Sequence, residues 1–287
     1  MRWDQDHESS DLIDERGEGG GSRMEGASIL GLLPLLLRFR FGWVIIVIVL
    51  GLGFARNFLG GATPHVADTS VSASGGDQPR HFVAFVLDDT QNTWRALFAQ
   101  SGQTYRNAKL VLFSGSTDTG CGFGDAATGP FYCPNDERVY IDLAFYKELA
   151  QRFGAKGDFA EAYVIAHEIG HHVQKLLGIS EQMERAGKSA QLGPTGLSVR
   201  LELQADCFAG IWAKSTSNRQ ILDPGDIDEA LGAASAVGDD HIERQTTGTV
   251  RPETWTHGSS AQRSAWFKRG LDSGTLAGCD TFKAGTL

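Results

Sequence analysis

Three side chains in one short stretch have the types and spacing to hold a metal ion and use it. They are His167, Glu168 and His171, in AYVIAHEIGHHVQ at residues 162–174. On a helix, residues four apart stand one turn above each other, so both imidazoles can ligate one ion through neutral nitrogens. Glu168 follows the first histidine on the adjacent flank, where it can take a proton from an attacking water and pass it to a leaving amine. Two nitrogens with one carboxylate suit a single Zn2+ and leave a fourth position open. A second pair of groups, Glu202 and Asp206 in LELQADCFAG, is again four apart, in an apolar run where uncompensated charge is costly. Glu202 is therefore the expected third ligand, and Asp206 the acceptor for the other ring nitrogen of a ligand histidine. His172 points about 100° away from His171 and is expected to pack rather than bind the ion. Hydrolysis also needs a donor for the developing oxyanion, for which His257 in THGSSAQR is the candidate, with His241 and Tyr163 as weaker rivals.

These side chains need helices to position them, and the chain supplies apolar segments at helical spacing. Residues 82–100 place Val83, Val86, Leu87, Trp94, Leu97 and Phe98 on one face. Residues 109–113 and 137–143 predict short strands, and the Gly-rich stretch around Cys121 between them predicts an irregular loop. Everything later predicts helices, broken at residues 193–196, 223–225 and 248–252. The expected class is α+β, mostly helical, with a small sheet. Four cysteines, Cys121, Cys133, Cys207 and Cys279, allow three pairings. A bridge from Cys121 to Cys133 would close a short loop, and Cys207 with Cys279 follows only by elimination. None forms a Cys-x-x-Cys pair, which disfavours a structural all-cysteine zinc site.

Of the 287 residues, 41% are apolar, enough for one well-buried domain. The formal charge of −9 lacks the Lys/Arg footprint of a nucleic-acid binder, so nucleic acid is not an expected partner. Residues 1–28 carry eight acidic against three basic side chains and several glycines, which predicts a disordered tail. Residues 29–59 predict a membrane anchor, with a helix over about 41–59 whose uncharged part is FGWVIIVIVLGLGFA. Arg38 and Arg40 precede it, which predicts a single pass with a cytoplasmic N-terminus and an extracytoplasmic domain. Residues 60–80 predict a flexible linker, and 81–287 the metal-binding domain.

Beyond these patterns, the chain resembles the bacterial neutral zinc metallopeptidase family. The matching segments are the opening MRW, KLVLFSGSTDTGCGFGDAATGPFYCPNDERVYIDL, GDFAEAYVIAHEIGHHVQKLLGI, LELQADCFAG, GDDHI and THGSSAQRSAWF. The resemblance implies a membrane-anchored or exported zincin-like domain hydrolysing peptide bonds, with Glu202 as ligand and Asp206 as its neighbour's partner. Two rival expectations are a zinc-binding scaffold without turnover and a hydrolase of cell-wall peptides. A scaffold gives Glu168 no purpose, because Glu168 is not a ligand.

Overall fold

The computed structural model describes residues 1–17, 77–180, 190–285 and 287. The expected membrane anchor, residues 60–76 of the expected linker and residues 18–28 of the expected tail lie outside the described residues, whereas residues 78–80, the end of that linker, are already helical. Among the described residues, no helix is long and apolar enough to cross a membrane.

The first long helix, α1 (Gln78–Gln100), starts on Asp77, whose side chain accepts a hydrogen bond from the Arg80 amide, with a proline in its first turn. Phe82, Val83, Val86, Leu87, Trp94 and Phe98 are buried along one stripe, the face expected from the sequence. A four-stranded sheet follows the order β1-β2-β6-β5, built from β1 (Leu12–Asp14), β2 (Lys109–Phe113), β5 (Phe131–Cys133) and β6 (Arg138–Asp142). The first three strands in that order are parallel, and β5 runs antiparallel at the edge. In β2, Leu110 and Leu112 join the main helical core, while Val111 and Phe113 pack on the opposite face with Tyr140 and Cys133. Burial on both faces explains the continuous apolar run of KLVLF.

The expected irregular loop around Cys121 instead contains a hairpin, β3 (Ser116–Thr119) paired with β4 (Gly122–Asp125), before it reaches β5. Its strands are too short and glycine-rich to show alternation, which is why the sequence reads as a loop. Cys121 is bridged to Cys133, and Cys207 to Cys279.

The helical half comprises α2 (Ala144–Gln151), α3 (Asp158–Leu176), α4 (Leu197–Asn218), α5 (Asp226–Ala236), α6 (Asp239–Thr246) and α7 (Ser260–Ser273). Small residues set how closely these helices cross. A Cβ on Gly170 of α3 would stand 3.0 Å from the Ala205 carbonyl oxygen of α4. One on Gly270 of α7 would stand 1.9 Å from the Cys207 oxygen, next to the disulfide that ties α4 to the turn after α7. α7 begins with a capping box from Ser259 and Gln262 and ends at Gly274 with φ 61°.

One expectation fails outright. Residues 1–17 are not a disordered tail; they belong to the same compact unit as the domain. β1 pairs with β2 in the register Leu12 to Leu110, and the Trp3 ring packs edge-on against Phe82 with centroids 5.2 Å apart. The Met1 amine lies 2.9 Å from Asp158. The charges that suggest disorder are partnered here, Asp11 with Lys109 at 2.7 Å and Glu8 with Arg80 at 2.6 Å. Composition rules cannot register partners that arrive from residues 80–110.

Candidate metal centre and cleft

α3 carries His167, Glu168 and His171, and α4 crosses it at Gly170, between the two histidines, so Glu202 reaches both rings. His167 Nε2 lies 3.2 Å from Glu202 Oε2, and His171 Nε2 lies 3.5 Å from Glu202 Oε1. One ligand atom from each of the three residues falls within 4.8 Å of the others. The imidazoles are nearly perpendicular, with centroids 4.9 Å apart.

The far sides of both rings are held. His167 Nδ1 donates to Asp206 Oδ1 at 2.8 Å, and His171 Nδ1 donates to Gln174 Oε1 at 2.9 Å. The Gln174 amide nitrogen donates to the Leu201 carbonyl at 2.7 Å, which fixes its oxygen toward His171. Both histidines therefore present Nε2 to the same space, the tautomer a metal requires.

Asp206 is fully buried and also receives the Tyr163 hydroxyl and two bonds from Arg263, Nε at 2.9 Å and Nη2 at 3.0 Å. Burial by itself would raise its carboxyl, but Arg263 and His167 outweigh that and hold it at about 2. Burial likewise disfavours a charged His167, yet Asp206 and Glu202 raise the ring above its usual value while no metal is bound. Glu168 is buried and shifts upward, chiefly through loss of water and against the pull of both histidines. An elevated carboxylate is better matched to accepting a proton near neutrality than an ordinary one.

His257 lies in the loop before α7, half exposed, and shares a cleft with His167, Glu168, His171 and Glu202. The cleft measures about 760 Å3, and its walls include Phe131 and Tyr132 of edge strand β5. Asp239 anchors the His257 loop. Its Oδ2 accepts the amides of Thr256, His257 and Gly258 at 2.9, 2.7 and 3.0 Å, and its Oδ1 lies 3.1 Å from His257 Nδ1. The Asp239 partner raises the imidazole against the opposing effect of burial. Tyr163 spends its hydroxyl proton on Asp206, and His241 contacts Gln245 rather than lining the cleft. His172 is a buried brace: Tyr132 Oη donates to its Nδ1 at 2.9 Å, and its Nε2 donates to the Arg106 carbonyl at 2.6 Å.

Sequence reasoning assigned no role to Arg263, Gln174 or Asp239. Arg263 had a visible signal, since Arg263, Trp266, Phe267 and Gly270 form a buried stripe at helical spacing with a charge in it. Gln174, three residues after His171 on the same helix, also follows from spacing. Asp239 acts across a loop, which no local pattern reveals.

Comparison with known proteins matches this arrangement to one family. A family model described as "putative neutral zinc metallopeptidase" matches residues 1–282. The chain is 44% identical over 288 residues to the uncharacterized protein YpfJ of Escherichia coli K12, covering 98% of this chain and 99% of that one. It is 46% identical over 237 residues to the uncharacterized protein Rv2575 of Mycobacterium tuberculosis, covering 78% and 79% respectively. No solved structure matches. The MRW opening, the His-Glu-x-x-His helix and the Glu-x-x-x-Asp helix all fall within the matched span, and the chain belongs to the putative neutral zinc metallopeptidase family.

Proposed function

We propose that this chain is a zincin-type peptidase that holds one zinc ion on His167, His171 and Glu202 and hydrolyses peptide bonds with Glu168 as general base. The observation carrying this reading is the convergence of the three ligand atoms within 4.8 Å beside a buried carboxylate outside that set. The donors fit zinc: two imidazole nitrogens, whose rings are held from behind by Asp206 and Gln174, and one carboxylate. When bound, zinc supplies a Lewis acid that acidifies water and polarises a carbonyl.

The remaining work falls to the chain. Glu168 accepts a proton from the attacking water and delivers it to the departing amine. His257, held by Asp239, donates to the oxygen that becomes anionic. β5 is the edge strand of the sheet and lines the cleft, so an extended peptide can add to its outer edge through backbone hydrogen bonds. This favours a peptide over a compact small molecule. The test is hydrolysis of unfolded casein and of purified cell-wall peptides by the full chain. Cleavage abolished by a chelator and restored by zinc supports the reading, whereas cleavage indifferent to the chelator contradicts it.

A further inference from the structure

We infer that the cleft holds an apolar subsite for the side chain of the residue that supplies the departing amine, so that the substrates are unfolded protein segments cut just before a large aliphatic or aromatic residue. The inference rests on the hydrolytic reading above and adds a substrate class to it. Five apolar side chains from separate elements reach the cleft wall: Phe145 of α2, Phe153 just beyond that helix, Val164 of α3, Val237 at the end of α5 and Ile242 of α6. Val164 is buried and the other four are half-buried. Phe145, Phe153 and Val237 also pack against the main core, which fixes their positions. The charged side chains on this stretch of the wall, Glu148 and Arg152, are paired at 3.2 Å, and the Arg152 guanidinium lies over the Phe153 ring, 5.3 Å from its centroid. A charged substrate side chain would lose water there and find both partners already engaged, whereas a large apolar one gains by leaving water.

The helix α3 sets which substrate residue meets this wall. Val164 precedes Glu168 by four residues, so the two side chains stand one turn apart on one face. In hydrolysis water adds to the carbonyl carbon, the C–N bond breaks, and the proton that Glu168 took from the water leaves on the amine. The amine therefore departs over Glu168, beside Val164, and the residue carrying it has the apolar wall within reach. Val237 brings the wall to the same point: its carbonyl accepts Arg263 Nη1 at 3.2 Å, and Arg263 Nη2 lies 3.3 Å from His167 Nδ1. Phe153 and α6 continue it, with the Phe153 ring 6.5 Å from that of His241, the neighbour of Ile242. A pocket of this kind separates Leu or Phe from Ala by about 10–100-fold in kcat/KM. Cell-wall cross-links, made of small, acidic and amino-bearing residues, offer no such side chain.

The experiment maps, by mass spectrometry, the ends of the fragments that the zinc-loaded full chain releases from unfolded casein. New N-termini should be enriched in Leu, Ile and Phe, and a peptide with Leu at that position should be cut about 10–100-fold faster than its Ala counterpart. Val164→Phe fills the pocket and should shift the preference toward Ala or Gly; if that variant misfolds, Ile242→Glu should lower the Leu preference from the cleft wall. Unselective new N-termini, or enrichment at the new C-termini instead, overturns the subsite, as does equally fast cutting of cell-wall peptides. Calorimetric binding of the dipeptide amides Leu-Gly and Ala-Gly decides the subsite without turnover. Tighter binding of Leu-Gly supports it and equal binding overturns it. Leu-Gly preference in a zinc-loaded chain that cleaves nothing leaves the subsite standing and counts against the hydrolytic reading alone.

Discussion

The Asp206–Arg263 pair separates stability from metal binding in a way that can be measured. Asp206 has no exposed side-chain surface and Arg263 has 4%, so removing either partner strands a buried charge. The usual cost is about 3–5 kcal/mol. For a folded unit of this size that lowers Tm by roughly 6–20 °C, taking about 2–4 °C per kcal/mol. Asp206→Asn and Arg263→Met should each show this loss in urea unfolding of the zinc-free protein, where metal binding does not contribute. The double variant has no stranded charge, and its loss should fall at least about 2 kcal/mol short of the sum. Zinc affinity should behave differently. Asp206→Asn loses the carboxylate that receives His167 Nδ1 and should bind zinc about 10–100-fold more weakly, with or without Arg263→Met. Arg263→Met alone keeps that bond and should lose less. Strictly additive stabilities, or an unchanged zinc affinity in Asp206→Asn, would refute the reasoning.

Other perturbations probe the remaining parts. Glu202→Ala removes the carboxylate that approaches both ligand rings and should lower zinc occupancy strongly; undiminished zinc by elemental analysis would place the third ligand elsewhere. His257→Ala should lower kcat by about 10–1000-fold with little change in KM, and an unchanged kcat would remove it from the mechanism. Glu161, near the start of α3, is pushed up to about 7 by burial and then by the charge of Asp158. A carboxyl whose folded value lies above its unfolded one, about 4.5, favours the fold at low pH and loses that advantage as pH rises through 7. Glu161→Gln should therefore raise Tm by about 2–4 °C at pH 8 and not at pH 4. An equal shift at both values would show that the charge is not responsible.

Much of the site was legible because the relevant distances are local. The four-residue spacings of His167 with His171 and of Glu202 with Asp206 each define one face of one helix, and the apolar residues around them announce burial. The 109–113 strand was legible for the same reason. What escaped depends on partners distant in sequence. β1 is a strand only because β2 presents an open edge nearly a hundred residues later, and the charges of residues 1–17 are satisfied by side chains of α1 and of residues around 107–109. α1 begins at Gln78, earlier than residue 82, because Asp77 caps it ahead of the apolar stripe. The glycines at 170 and 270 have no periodicity of their own, yet they set the helix approaches that bring Glu202 to the histidines and Arg263 to Asp206.

The central claim is that one zinc ion and Glu168 together perform the hydrolysis. It is tested most directly by measuring zinc content and casein cleavage for the full parent chain and for Glu168→Gln, purified from an oxidising compartment. The account predicts about one zinc per chain in both proteins and cleavage only by the parent. A folded parent without zinc, or a Glu168→Gln variant as active as the parent, would contradict it.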